Sequence, residues 1–420
     1  MVSVDELISQ ILSKTQKNIT ALQKSLESAL SHNLNTNPSH LQRISPKNHS
    51  LGYLYLLFGM KEKNGFVECV EYLIRDMNLD QIRKGIFRFG QIMHAYAARL
   101  REAKQYERAL RMIQFVIEII RPSPEHLTPF HADYLMICLK AKNFRLASNL
   151  VDQKILDIQP ELTGLTPTDM LLYYFYGGNV YVGLKQFVKA ERFYDTGLTV
   201  PAFAQSAIMV EIFKRFVLVQ LLNHGNFLGI NKSASNIVHK HMKSFCSSYI
   251  DFANAFTDGD AEVLKNVAKE KKKEFAEDKN MGIINQCIEA LSRRNIQKLT
   301  ATYLTLSLDA VAKHINLAGA REAELILLRM IDHGEIAARI NHKDGMVVFQ
   351  EEQDNLNITD RVNYQINQCI TLAQKLKNMD DTLASSHAYL ARKNGLRDDV
   401  FGPKNEGKSK FGRVLDMFAK

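Results

Sequence analysis

Apolar residues recur along this chain at helical spacing. Ile113, Val116, Ile117 and Ile120 lie three, one and three positions apart with polar residues opposite, which aligns them on one buried side of a helix. No convincing two-residue alternation occurs before residue 335, so the first four-fifths of the chain is predicted to be almost entirely helical. The nine prolines, Pro38, Pro46, Pro122, Pro124, Pro129, Pro160, Pro167, Pro201 and Pro403, punctuate these helices rather than fall inside them.

An internal repeat organises the helical region. Lys104-Gln-Tyr-Glu-Arg-Ala109, Lys142-Asn-Phe-Arg-Leu-Ala147 and Lys185-Gln-Phe-Val-Lys-Ala190 share lysine, amide, aromatic, two variable residues and alanine, at offsets of 38 and 43 residues. A degenerate fourth copy, Gly225-Asn-Phe-Leu-Gly-Ile230, follows 40 residues after its predecessor at the amide position. Periods of this size mark helical arrays. The polar pair suits a turn between antiparallel helices, the aromatic opens the second helix, and the alanine lets the partner approach closely. No pair buries its apolar face alone, so stacked neighbours build one core, as in tetratricopeptide-like solenoids. Phe187 is expected to fill the seam between stacked pairs.

The pattern changes after residue 295. Asn295 to Leu308 reads as a helix followed by a short strand, Thr305-Leu-Ser-Leu308, and Asp309 is placed to cap a short helix from Ala310 to Ile315. A loop with Gly319 leads to a longer helix, Arg321 to Asp332, closed by Gly334 at its C′ position. The period then becomes two. Ile336-Ala-Ala-Arg-Ile340 and Met346-Val-Val-Phe349 flank Asn341-His-Lys-Asp-Gly345, whose Asp-Gly is a hairpin signal. Helix, strand, helix, helix, hairpin is the order of a winged helix. Residues 351 to 358 read as a polar linker. Beyond it Val362, Ile366, Cys369, Ala373 and Leu376 alternate spacings of four and three, a seam suited to packing on other helices. From Asp380 onward, Ser, Asn, Gly and charge predict a disordered tail with a short terminal helix near Val414 to Phe418.

Composition narrows the function classes. At 420 residues the chain exceeds what one core usually serves, and 46% hydrophobic with 24% charged residues excludes wholesale disorder. The first residues carry acids where a signal peptide needs bases, and the longest apolar stretch, Leu51 to Met60, is ten residues against the ~20 of a spanning helix. Neither secretion nor a membrane span is expected. Cys69, Cys138, Cys246, Cys287 and Cys369 are odd in number, far apart and without a C-x-x-C pair, so they read as buried thiols in a reducing compartment. The net charge is +9, and basic residues cluster on one predicted helix, where Lys265, Lys269, Lys271, Lys272 and Lys273 are interrupted by Glu262, Glu270 and Glu274 and read as a solvated face.

Three motifs invite chemistry that their surroundings do not support. Gly402 to Ser409 fits the phosphate-loop pattern, but that loop works only between a parallel strand and a helix, and this stretch reads as a flexible tail. His239-Lys-His241 resembles the H-x-H of JAMM metalloproteases. Its downstream aspartate, Asp251, is one position out of register, and the segment reads as helix, where residues two apart face different ways. The third is the winged helix itself, whose would-be recognition helix, Arg321 to Asp332, carries three acids against two bases and would repel nucleic-acid phosphates. No catalytic, cofactor-binding or metal-ligating residue is nominated, and no cofactor is expected.

Tyr303-Leu-Thr-Leu-Ser-Leu-Asp309, Met330-Ile-Asp-His-Gly-Glu-Ile336 and Arg339 to Phe349 resemble the PCI module shared by the proteasome lid, the COP-9 signalosome and a translation initiation factor. Three further segments resemble the signalosome's third-subunit family: His131-Ala-Asp133; Tyr173-Tyr-Phe-Tyr-Gly-Gly178 with Gly183 to Phe187; and Asn280-Met-Gly282 with Arg294 to Leu299. The resemblance covers roughly residues 49 to 350 and implies a non-catalytic scaffold in the complex that removes NEDD8 from cullins, with zinc and catalysis in another subunit. The fold implied is mainly α. Helical repeats occupy residues 1–196 and a PCI domain 197–350, with its winged helix at about 295–350; residues 351–420 form a linker, a bundling helix at about 359–379 and a disordered tail. Partners are then other signalosome subunits and, indirectly, cullin-based ubiquitin ligases, in cytoplasm and nucleus, with no membrane and nucleic acid disfavoured. Edge-strand pairing between neighbouring winged helices is the assembly mode of that family. It nominates Met346, Val347, Val348 and Phe349, and the helical seam Val362, Ile366, Cys369, Ala373 and Leu376, as partner interface. A non-ATPase subunit of the proteasome lid, and a nucleic-acid-binding winged helix using the Lys265 to Lys273 face, are the competing readings.

Overall fold

The computed structural model describes residues 4–14, 19–30, 36–61, 63–201, 206–234, 236–315, 319–350 and 357–385, together with Leu390. The chain divides into two compact units, residues 1–333 with 340–348 and residues 334–339 with 349–420. The first begins with α1 (Val4–Lys14) and α2 (Ile19–Leu30), which pack with the short α3 (Pro38–Leu41) on or near α4 (Pro46–Phe58). A methyl group at Gly52 would run into the Ile11 side chain, so α1 lies directly on the α4 backbone. Next come α5 (Phe66–Asp76), α6 (Leu79–Lys84), α7 (Ile86–Glu102), α8 (Tyr106–Ile120), α9 (Phe130–Lys140), α10 (Phe144–Val151), α11 (Pro160–Thr163), α12 (Pro167–Gly183), α13 (Phe187–Thr199) and α14 (Ala207–His224).

The repeat motif is the turn of three helix hairpins, α7 to α8, α9 to α10 and α12 to α13. Lys104, Lys142 and Lys185 sit in left-handed backbone at φ of 57°, 56° and 58°. Each lysine N–H donates to the carbonyl three residues back, and the N–H of the following amide residue donates five residues back, at 2.9 Å to Leu100, Cys138 and Tyr181. This pair of bonds closes the first helix as a Schellman motif. The same amide residue is the N-cap of the next helix, and Asn143 accepts there from the Leu146 N–H at 3.3 Å. One residue therefore ends one helix and begins another. Ala109, Ala147 and Ala190 are fully buried, as close approach requires.

The aromatics of the motif differ from expectation. Tyr106, Phe144 and Phe187 are only half-buried, because their place in the first turn leaves one side open. The seam expected for Phe187 is filled by Phe193 and Tyr194, whose rings lie where Cβ atoms on Gly177 and Gly178 would be. Phe144 lies in the same way on Gly183 and so joins successive hairpins. The degenerate copy at Gly225 stops short of a hairpin. Gly225 ends α14 at φ 80°, but Gln220 accepts from the Leu228 N–H at 3.2 Å, Phe227 stands edge-on to Phe213, and the next helix, α15 (Asn236–Phe245), starts only later. The true fourth turn is Lys279-Asn280, with Lys279 at φ 59° and the Asn280 N–H donating to Phe275 at 3.0 Å.

The first unit continues through α16 (Ser247–Asp258), α17 (Ala261–Glu270), α18 (Lys272–Glu277) and α19 (Met281–Thr302) to β1 (Thr305–Ser307), α20 (Leu308–Ile315) and α21 (Ala320–Asp332), followed by β2 (Ala338–Asn341) and β3 (Met346–Phe349). α14 packs on α13 on one side and on α16 and α19 on the other, so the core runs through residues 196 and 197 without a break. Asp278 helps bind that junction, accepting from Lys214 and from the Tyr249 hydroxyl at 2.7 Å each, while Asn280 Nδ2 donates to the same hydroxyl at 2.8 Å. Ser307, and not Asp309, caps α20: its Oγ accepts from the Ala310 N–H at 3.2 Å. In the second unit the Gln350 N–H donates to Ala337 at 2.8 Å, and α22 (Asn357–Ser385) is one long helix. It runs six residues past the end expected near residue 379, because Met379 and Leu383 prolong the helical spacing through Asp380 and Asp381.

Two histidines respond to pH in opposite directions. His94 of α7 lies 2.5 Å from Asp133 of α9 and 3.4 Å from Asp169 of α12, where Asp169 also forms a capping box with Thr166. Burial disfavours the charged ring, but the bonds and charges of the two aspartates outweigh it and raise His94 to about 10. His131 is fully buried, bonded through Nδ1 to Thr128 and edge-on to Tyr173, and burial pulls it down to about 4.

Two outcomes are expected of the isolated chain. Lys142→Gly should stabilise it by about 0.5–1 kcal/mol in thermal or denaturant unfolding, because glycine adopts the left-handed backbone without strain, whereas Lys142→Ala should not. Stability against pH should peak near the unfolded histidine value of 6.5: the His94 contribution is full below it and lost as pH rises through about 10, and the His131 contribution is full above it and lost as pH falls toward about 4. His94→Gln should flatten the alkaline limb and leave the acid limb in place.

Candidate assembly interface

The winged helix closes on a three-stranded sheet of order β1-β3-β2. β1 pairs antiparallel with β3 in the register Thr305 with Val348, Leu306 with Val347 and Ser307 with Met346, and the Leu308 N–H extends the pairing to Gly345 at 2.8 Å. This order corrects the expectation for Met346 to Phe349. The last strand of the hairpin is the central strand of the sheet, because β1 folds back onto its outer side, and the edges belong to β1 and β2. Val347 and Phe349 are buried and Met346 is half-buried, and Val348 is the one of the four that is exposed. Turn chemistry explains the hairpin: Gly345 holds φ 60°, and the Asn341 side chain accepts from the Lys343 N–H at 3.3 Å.

Apolar side chains missed in the sequence lie on the winged-helix surface. Leu304 is 74% exposed just before β1, with Tyr303 beside it, and Leu325 and Leu328 are about half exposed on α21. They escaped notice because single apolar residues in helices and strands read as core. α21 also carries Glu322 and Glu324 on its outer side, with His342 2.9 Å from Glu324.

α22 carries the larger signal. It is 29 residues long, and every side chain from Val362 to Ser385 is exposed. Val362, Ile366, Cys369, Ala373 and Leu376 fall along one face as their spacing requires, and Met379 and Leu383 continue it. Ile370 and Leu372 widen the apolar surface. An amphipathic helix of this kind draws its stability from a partner that covers the apolar side.

The motifs with chemical promise are also placed. His239 and His241 are exposed on α15, and among the described residues no group of three His, Cys, Asp or Glu could hold a metal ion. Lys265, Lys269, Lys272 and Lys273 are exposed on α17 and α18. Among the described residues no helix is long and apolar enough to cross a membrane. Gly402 to Ser409, and the helix expected near Val414 to Phe418, lie outside the described residues. The segments that carried the finer resemblance all sit at helix junctions. His131 and Asp133 serve the histidine contacts, Gly177 and Gly178 admit the rings of α13, and Arg294 and Asn295 each donate at 3.0 Å to carbonyls closing neighbouring helices, those of Leu222 and Gly259.

Helix hairpins stacked into a winged helix, followed by a long amphipathic helix that no described residue covers, define a PCI-type scaffold. Residues 256–351 match the PCI domain, and residues 13–238 match the family described as COP9 signalosome complex subunit 3, N-terminal helical repeats. The chain is similar to COP9 signalosome complex subunit 3 of Dictyostelium discoideum, with 32% identity covering 84% of this chain and 86% of that one. With the protein of the same name from Arabidopsis thaliana it shares 31% identity over 93% of each chain. The chain belongs to the COP9 signalosome subunit 3 family.

Position in the sheet and exposure set different outcomes for two changes. Val347→Pro breaks a central strand and should lower the thermal stability of the isolated chain, whereas Ile366→Glu with Ala373→Glu, both on exposed turns, should leave its stability and helical circular dichroism near wild type. A stable Val347→Pro variant would contradict the sheet order.

Proposed function

We propose that this chain is a non-catalytic scaffold subunit of the signalosome, and that it supports removal of NEDD8 from cullins by holding other subunits in place. Hydrolysis then belongs to a metalloprotease in a different subunit, and the working compartments are cytoplasm and nucleus. The observation that carries this reading is α22: a long helix whose apolar face no described residue covers is stable and soluble only as part of a larger bundle. The second contact is strand addition at the sheet edges, β1 or β2, where backbone groups of a neighbouring winged helix can continue the ladder.

Co-purification of partner subunits tests both contacts. Ile366→Glu with Ala373→Glu should lose partners that share the helical bundle, and Thr305→Pro with Ala338→Pro, one on each edge strand with its N–H turned away from β3, should weaken contact with an adjacent PCI subunit. Unchanged recovery of every partner with both variants would refute the assembly mechanism.

A further inference from the structure

A cavity of about 500 Å³ opens at the end of α14. Its floor is apolar, made by the buried side chains of Phe256 on α16 and Leu291 on α19. Arg294 and Lys298, one turn apart on α19, stand at its rim with His224 of α14, and no Asp or Glu lines it. His224 is already engaged, with Nε2 3.0 Å from both carboxylate oxygens of Glu191. Arg294 is not. Its half-buried guanidinium lies over Gly225 and donates through Nη2 to the Leu222 carbonyl at 3.0 Å, and among the described residues no carboxylate pairs with it. Burial lowers its hold on the proton, with no neighbouring charge to offset the loss.

A cation that has given up part of its hydration without gaining a counter-charge is a favourable place for an anion. We propose that this cavity binds an oxyanion, a carboxylate or a phosphate, carried on an apolar body. Arg294 offers the planar fork that matches such a group, Lys298 adds a second charge, and Phe256 and Leu291 receive the apolar part. The volume lies within the range of small-molecule sites. His224 and Gly225 fall in the matched repeats and the remaining lining residues in the matched PCI domain, so an occupant ties one to the other.

Phenyl phosphate, added to the full chain, is the probe, with phenol and inorganic phosphate as controls that lack the charge or the apolar body. N-acetylphenylalanine presents a carboxylate on the same ring, and the tighter of the two aromatic probes names the anion. Phenyl phosphate should raise the thermal midpoint with concentration, as any ligand of the folded state does, and phenol should not. Lys298→Gln, exposed and outside the core, should weaken binding by about two- to fivefold. Arg294→Gln should weaken it by about tenfold or more, and Ala301→Phe, at the exposed mouth, should abolish it. No shift at millimolar phenyl phosphate, or equal shifts in wild type, Lys298→Gln and Ala301→Phe, would overturn the proposal.

Discussion

The left-handed lysine turn is the constraint on which the helical stack depends. A helix pair with a longer connection can splay; one in which a single residue is both the end of the first helix and the cap of the second has its angle set by backbone hydrogen bonds. Only with that angle held do alanines such as Ala147 and Ala190 face their partners at close range, and only then do Gly177 and Gly178 admit whole aromatic rings. Lysine is not the residue that most easily adopts this backbone. Its strain, of order 1–2 kcal/mol at each turn, is offset by the packing that the turn makes possible.

Where apolar packing alone would leave neighbouring hairpins free to slide, polar contacts fix their register. His94 reaches aspartates on two different helices, and Asp278 gathers a lysine and a tyrosine from two others. Such contacts are directional, so they select one arrangement among several of similar hydrophobic energy. Among the described residues α22 has no comparable set, and its side chains from Val362 to Ser385 face water. The contrast separates the surfaces that complete this chain from those that remain for others.

Much of this was legible in the sequence because the repeat couples local and tertiary structure. Lysine, amide and alanine at fixed spacing announce both the turn and the close contact, and the change of period after residue 335 announces the hairpin. What was not legible depended on partners distant in sequence. The motif at Gly225 looked like another turn, but Gln220 and Phe213 capture the following residues. Phe187 looked like a seam residue, but depth is set by the stacking of whole hairpins, which favoured Tyr194. The strand Met346 to Phe349 is nominated as an edge by the family resemblance, and its central place follows from β1, some forty residues earlier in the chain. The seam on α22 needs only helical spacing to be seen, whereas the length of the helix depends on Met379 and Leu383 beyond it.

The sheet order carries one further implication. With β3 in the middle, each flank of this small sheet ends in a strand that has one neighbour among the described residues. A sheet of this kind has a valence of two: a strand can be added on either side without displacing any already there. A subunit with one free edge can only terminate a row of winged helices, whereas one with two can stand inside it, and successive additions close into a ring or continue as an open arc according to the rotation at each joint.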